Sequence, residues 1–109
     1  MTQLKDLVDR LAALEQRVSL LEIRASVLRS VDNQRVLEVL GRHMRSPFND
    51  GSFTMTPDVI RHATGLDDKD LALALDQLQR AGFVELVKVE GTGRWRVTDD
   101  GLYAIPENR

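Results

Sequence analysis

Apolar side chains recur in alternating steps of three and four through the first thirty residues of the chain. The repeat covers four heptads, and neither Gly nor Pro occurs before Gly41 to interrupt a helix. A stripe this narrow is typical of a helix that pairs with another helix rather than covering its own domain. We therefore predict a coiled coil over residues 1–31. The core positions of this heptad stripe are Leu4, Leu7, Leu11, Leu14, Val18, Leu21, Ala25 and Leu28.

Charged residues beside the heptad stripe favour a parallel homodimer. In a parallel pair Arg17 faces Glu22 of a second copy, and the same pattern holds one heptad earlier, whereas an antiparallel pair opposes like charges. The last heptad does not follow this pattern, because Arg24 would face Arg29 of the second copy. The small Ala25 also thins the core there, so this heptad is predicted to be the weakest. A trimer, or a coil that joins other chains, remains the alternative.

The period changes after Ser30, and residues 32–109 predict a second unit with three shorter helices. Residues that commonly cap a helix N-terminus open these helices, namely Asp32, Thr56 and Asp67. Residues that stop a helix follow them, namely Ser46-Pro47, Gly65 and Gly82. The apolar residues expected to face the core from the second of these helices are Val59, Ile60 and Ala63. Those expected from the third are Leu71, Ala74, Leu75 and Leu78.

Strand-forming residues follow the third helix. Residues 83–89 are rich in apolar and β-branched side chains, Gly91-Thr92-Gly93 is the predicted reversal, and residues 94–98 return. A short strand is also predicted at residues 52–54, and a turn or short helix after Thr98. Helix, strand, helix, turn, helix and hairpin is the element order of a winged helix-turn-helix.

Three motifs in residues 32–105 resemble the winged-helix domains of bacterial regulators of the MarR and PadR type. They are Thr64-Gly65-Leu66 between two helices, residues 75–84 leading into the hairpin, and residues 96–101 after it, where Val97 replaces the usual Leu. The resemblance implies a winged helix-turn-helix. Together with the coiled-coil helix predicted from the heptads, the expected fold is mainly α with a small β-hairpin (α+β). The resemblance also implies transcription regulation through double-stranded DNA, with the third helix in the major groove and the hairpin on phosphate.

Charge complicates that expectation. The chain has a net charge of −2, which divides into +1 for residues 1–31 and −3 for residues 32–109. The third helix also begins Asp67-Asp68-Lys69-Asp70. These carboxylates suit a helix N-terminus, but they repel a phosphate backbone. The residues predicted to contact DNA are Lys69, Gln77, Arg80, Lys88, Arg94 and Arg96.

The same residues leave a second hypothesis open, in which the winged helix binds a protein and not DNA. Ala72 and Leu73 lie on the predicted outer face of the third helix, where an exposed Leu suits a protein contact as well as a thymine methyl group. The acidic start of the helix would then favour a protein partner. Charge reversal at Asp68 and Asp70 separates the two hypotheses.

The sequence gives little support for catalysis or for the binding of a metal, a cofactor or a nucleotide phosphate. There is no Cys, and the two histidines, His43 and His62, are interpreted as packed or surface imidazoles with no Ser nucleophile beside them. Gly91-Thr92-Gly93 joins two strands and does not lead into a helix, so it is not a phosphate-binding loop. We expect no enzyme, metal or cofactor. No apolar run approaches 18 residues, which predicts a soluble, cytoplasmic protein without a membrane span.

Overall fold

The computed structural model describes residues 2–46 and 51–105. Within these ranges the chain is mainly helical and contains one two-stranded antiparallel sheet, which confirms the α+β class. The elements in chain order are α1 (Thr2–Arg29), α2 (Val31–Arg45), α3 (Pro57–Thr64), α4 (Asp68–Arg80), β1 (Val84–Val89), β2 (Thr92–Val97) and α5 (Asp99–Ala104). The element order is compatible with a winged helix.

Side-chain oxygens cap the helices much as the sequence predicts. Thr56 and Asp67 cap α3 and α4, respectively. The prediction that Asp32 caps α2 is wrong, because Ser30 takes that position and its hydroxyl accepts a hydrogen bond from the backbone N–H of Asn33 at 3.3 Å. Asp32 lies instead in the first turn of α2, where a carboxylate favours the positive end of the helix dipole.

The hairpin turn is shorter than predicted. Val89 pairs with Thr92, so the loop between β1 and β2 consists of Glu90 and Gly91 alone. Both residues have positive φ angles, 52° and 81°, as a two-residue hairpin turn that matches the twist of its strands requires. The predicted reversal at Gly91-Thr92-Gly93 is therefore wrong, since Thr92 and Gly93 belong to β2.

The strand predicted at residues 52–54 does not form. Phe53 has a φ of 60°, in the left-handed region that cannot continue a strand. The adjacent Met55 instead forms an isolated bridge with Trp95, with N–H to O distances of 2.7 and 2.8 Å. This bridge ties the segment before α3 to the hairpin.

The hydrophobic core lies between α2, α3, α4, α5 and the hairpin. Its largest fully buried apolar side chains are Leu37, Leu40, Ile60, Leu78, Val97 and Ile105. The four inward residues predicted on α4 are all buried, which confirms that prediction. Of the three residues predicted to face the core from α3, only Ile60 is buried, while Val59 and Ala63 are exposed, so that part of the prediction is wrong. The short α3 thus meets the core through a single narrow face.

The helix α1 is uninterrupted over 28 residues, about 42 Å at 1.5 Å per residue. At its C-terminal end Val27 is buried against the body, by which we mean residues 31–105, and Leu28 is half-buried there. Farther toward the N-terminus the described leucines of the heptad stripe are 55–64% exposed, namely Leu7, Leu11, Leu14 and Leu21. Ala25 is also exposed. The side chains of Leu4, Val18 and Arg17 lie outside the described residues.

Candidate nucleic-acid interface

A tight turn fixes the angle between α3 and α4. Only Gly65, Leu66 and Asp67 separate the two helices. Gly65 adopts a left-handed conformation with a φ of 75° and donates its N–H to the carbonyl of Arg61, while Leu66 is buried. The hydroxyl of Thr64 donates to the carbonyl of Ile60 at 2.8 Å and accepts from the N–H of Leu66 at 3.3 Å. A three-residue turn that contains Gly is typical of a helix-turn-helix.

One face of α4 is left uncovered. Lys69, Leu73, Asp76 and Arg80 are exposed along it, and Leu73 is 56% exposed. Lys69 forms no ion pair with another described residue, whereas Arg80 Nε lies 3.2 Å from Asp76 Oδ2. Gln77 lies to one side of this face, where its Oε1 accepts a hydrogen bond from buried Asn33 Nδ2 at 2.9 Å. Of the three residues predicted on α4, Lys69 and Arg80 therefore share the outer face and Gln77 does not.

The three cations predicted on the hairpin lie on two different faces. Residues directly opposite across the strands share a face, so Arg94 lies with Val87 and Arg96 with Glu85, whereas Lys88 pairs with Gly93 on the other side. Arg96 forms an ion pair with Glu85. Arg94 is half-buried and its Nη2 donates to the carbonyl of Thr54 at 3.2 Å.

Lys88 is exposed and has no ion-pair partner among the described residues. It lies on the hairpin face that carries Leu86 and Trp95. Leu86 and Trp95 line a cavity together with residues of α4, so Lys88 is the hairpin cation on the same side of the hairpin as α4.

The acidic start of α4 is partly neutralised from α3. Arg61 Nη1 lies 3.1 Å from Asp68 Oδ1, and its Nη2 lies 3.5 Å from Asp58 Oδ1. Asp67 uses its side chain to cap the helix, accepting the N–H of Asp70 at 2.7 Å. The sequence does not reveal the contact between Arg61 and Asp68, because it crosses the turn between two helices. Asp70 is exposed and forms no ion pair with a described residue.

An apolar groove separates α4 from the hairpin. We call this cavity of about 400 Å³ the α4–hairpin groove, and its apolar walls are Leu71, Ala72, Leu75, Leu86 and Trp95. Asp68 and Asp76 also line it. Sequence reasoning did not assign Leu86 to any site, although strand alternation places it on the same face as Trp95.

No protein-family model, curated protein or solved structure significantly matches the chain. In residues 2–46 and 51–105, no three His, Asp or Glu side chains are arranged to hold a metal ion. None of the helices in those ranges has the length and apolar character needed to cross a membrane.

Proposed function

We propose that the protein is a homodimer that binds double-stranded DNA through a winged helix-turn-helix and regulates transcription. The observation that carries the proposal is the arrangement of α3, a three-residue turn, α4 with one face uncovered, and a hairpin directly after it. Proteins with this arrangement insert the second helix into the major groove and use nearby elements to hold the phosphate backbone.

Two lysines supply the first phosphate contacts in this proposal. Lys69 on α4 and Lys88 on the hairpin are both exposed and have no ion-pair partner among the described residues. Arg80 is bound to Asp76, but an exposed ion pair contributes only about 0.2–1 kcal/mol, so exchange of the carboxylate for a phosphate costs little. The nearby carboxylates lower the affinity, and we therefore expect weak non-specific binding that depends steeply on salt.

The exposed leucines of the heptad stripe support a dimer. Exposure of four leucines on one stripe is unusual on a monomer and marks an interaction surface. The spacing of the row fits a coiled coil with a second copy of the chain. In a parallel pair both bodies lie at the same end of the coil, as recognition of a two-fold symmetric DNA site requires.

Selection of bound fragments from a genomic library tests the proposal. Full-length protein should enrich discrete fragments at low salt, and the enrichment should narrow to fewer fragments at moderate salt as non-specific binding is lost. Lys69→Ala should reduce recovery, whereas Arg42→Ala, which removes an exposed cation on α2, serves as the matched control. Failure of the wild-type protein to enrich any fragment at low salt contradicts DNA binding.

The α4–hairpin groove favours a second candidate function, the binding of a protein segment. Leu73 is exposed on the outer face of α4, and Asp68 and Asp76 line the groove beside its apolar walls. Both carboxylates form exposed ion pairs within the chain, with Arg61 and Arg80, and a basic partner would have to exchange with these arginines. An apolar groove with such carboxylates in its lining fits a segment that has apolar and basic side chains. In this candidate the protein is an interaction module that does not bind DNA.

Charge reversal at Asp70 separates the two candidates. Asp70→Lys places a cation at the start of α4 and should raise DNA affinity roughly tenfold at low salt, because it replaces repulsion of phosphate with attraction. Asp70→Asn is the control that removes the negative charge alone and should give a smaller increase. If neither variant nor the wild-type protein binds DNA, and Asp76→Lys, which reverses a charge in the groove lining, weakens binding of a synthetic peptide rich in Leu and Lys, the interaction module is favoured.

A further inference from the structure

The connection between α1 and the body is a single residue. Only Ser30 lies between the last residue of α1 and the first residue of α2. Its backbone is extended, with φ of −75° and ψ of 126°. A change of either angle would swing the 28-residue helix through a large arc, so the direction of α1 depends on contacts outside the connection.

Arg24 makes the most extensive of these contacts. Its Nε donates to the backbone carbonyl of Ala81 at 2.9 Å, and its Nη2 donates to Asp100 Oδ2 at the same distance. The guanidinium carbon lies 5.4 Å from the centroid of the Phe83 ring, within the range of a cation–π interaction. Ala81 caps the C-terminus of α4, Phe83 precedes β1, and Asp100 lies in α5. One side chain therefore joins α1 to three parts of the body.

Asn33 provides a second link between α1 and α4. It is 1% exposed, and its Nδ2 donates to the carbonyl of Val27 in α1 and to Oε1 of Gln77 in α4, both at 2.9 Å. Val27 itself is buried against the core. The last two turns of α1 are therefore held against the same helix that carries the proposed DNA-reading face.

Because of its position in the heptad repeat, the contact between Arg24 and Asp100 also affects the proposed dimer. Arg24 directly precedes the core position Ala25, so in a parallel coil it would face Arg29 of a second copy. In the structure its guanidinium is paired with Asp100 of its own chain, and a carboxylate beside the guanidinium lessens that repulsion. Docking of Arg24 and pairing of the last heptad therefore favour each other.

We infer that Arg24 is a positioning residue: it fixes the direction of α1 relative to α4 and thereby sets the separation of the two α4 helices in the dimer. The first half of this inference concerns one chain and is independent of any ligand. The second half rests on the proposed dimer and on DNA binding. A dimer positioned in this way would select DNA sites whose two half-sites lie at one fixed spacing.

Spin labels on α1 and α4 test the first half. The chain contains no Cys, so Ala12→Cys with Gln79→Cys gives two exposed attachment points in the full-length protein. Labelled protein is diluted into an excess of unlabelled protein, so that each distance is measured within one chain. The expected result is one narrow distance distribution with Arg24 present and a distinctly broader one after Arg24→Ala. Circular dichroism and thermal unfolding of each variant report whether the fold is retained.

Two further variants keep the test sharp. Arg29→Ala removes an exposed arginine from the same helix and should leave the distribution narrow. Asp100→Asn removes the negative charge that pairs with Arg24, with little change in shape, and should broaden the distribution partly. An equally narrow distribution in the wild-type protein and in Arg24→Ala overturns the inference.

Binding to symmetric DNA sites tests the second half. Duplexes carry two copies of a selected half-site, and their separation is changed by about five base pairs, half a helical turn. The wild-type protein should bind one of the two separations more tightly than the other. Arg24→Ala should reduce the ratio of these two affinities about tenfold, while the affinity for a single half-site is retained. A preference unchanged by Arg24→Ala overturns the inference. Absence of DNA binding contradicts the proposed function and the second half, whereas the distances within one chain decide the first half separately.

Discussion

Gly101 occupies a position where no side chain fits. A Cβ atom there would overlap the backbone carbonyl oxygen of Phe83 and lie 2.6 Å from a methyl group of Val97. The close approach involves backbone, so relaxation of a flexible side chain cannot relieve it. The glycine that ends the motif of residues 96–101 therefore allows α5 to pack on the start of the hairpin.

Substitution of this glycine should be costly for stability. Gly101→Ala is expected to lower the free energy of unfolding by about 1–3 kcal/mol, as overpacking of a well-packed site does. Gly93→Ala is the matched control, since a Cβ there meets Leu86 at an ordinary contact distance of 3.4 Å. Urea unfolding followed by circular dichroism measures both. Equal midpoints for the two variants contradict the packing role of Gly101.

Lys88 is the hairpin residue through which DNA contact is best tested. Lys88→Ala should weaken binding to all sequences to a similar extent. Because a dimer of the variant loses one phosphate contact from each chain, the slope of log affinity against log salt should fall in magnitude by about 2. Arg42→Ala, on α2, should leave the slope unchanged. Fluorescence titrations over a range of salt concentrations measure both slopes. A wild-type slope for Lys88→Ala removes this residue from the interface.

For single residues, the sequence predicts which side chains have a structural role better than it predicts the residues they contact. The hydrogen-bond partners of Thr56 and Asp67 can be predicted from the sequence, because a capping side chain accepts from an N–H two or three residues away. The contact between Arg24 and Asp100 joins residues far apart in sequence, and no local pattern reveals it. The repulsion expected between Arg24 and Arg29 of a second copy was nevertheless a sign that Arg24 is used elsewhere.

Among the elements, α1 carries the clearest prediction. Leu14 is 55% exposed on the heptad stripe, while Ala12 is exposed on the same helix outside the stripe. Leu14→Asp should cost about 2 kcal/mol or more per chain in the coil and raise the dimer Kd by roughly a thousandfold. Ala12→Asp introduces the same residue and should leave the dimer intact. Sedimentation equilibrium measures the mass of each variant, and a monomeric wild-type protein contradicts the dimer.

An element is predicted well from the sequence when the residues that determine its ends lie within or beside it. The sequence predicts the bounds of α3 and α4 well, because their caps and stop signals lie within or beside each helix. The apolar period predicts the inward face of α4 correctly, but on the short α3 it is wrong for Val59 and Ala63. The strand predicted at residues 52–54 failed because Phe53 adopts a left-handed conformation, and nothing in its sequence neighbours requires that. The hairpin turn was misplaced because Gly91 and Gly93 both permit a reversal, and only the register with Val89 decides between them.

For the molecule as a whole, the net charge of −2 is a poor guide to where a polyanion binds. Arg61 neutralises Asp68, and Glu85 occupies Arg96, so the local field differs from the summed charge. The exposed cations without an ion-pair partner among the described residues of α4 and the hairpin are Lys69, on the uncovered face of α4, and Lys88, on the hairpin face that carries Leu86 and Trp95. The proposed DNA interface is therefore small in each chain, and a dimer is needed to double it.

The most direct test of the central claim is a fluorescence anisotropy titration of labelled duplex DNA with the full-length protein, repeated between about 50 and 200 mM salt. Lys69 and Lys88 from both chains of a dimer give four phosphate contacts, for which the expected slope of log affinity against log salt is about −4. Affinity should then fall roughly a hundredfold over this range. No rise in anisotropy at the lowest salt, or binding that does not change with salt, would contradict the account.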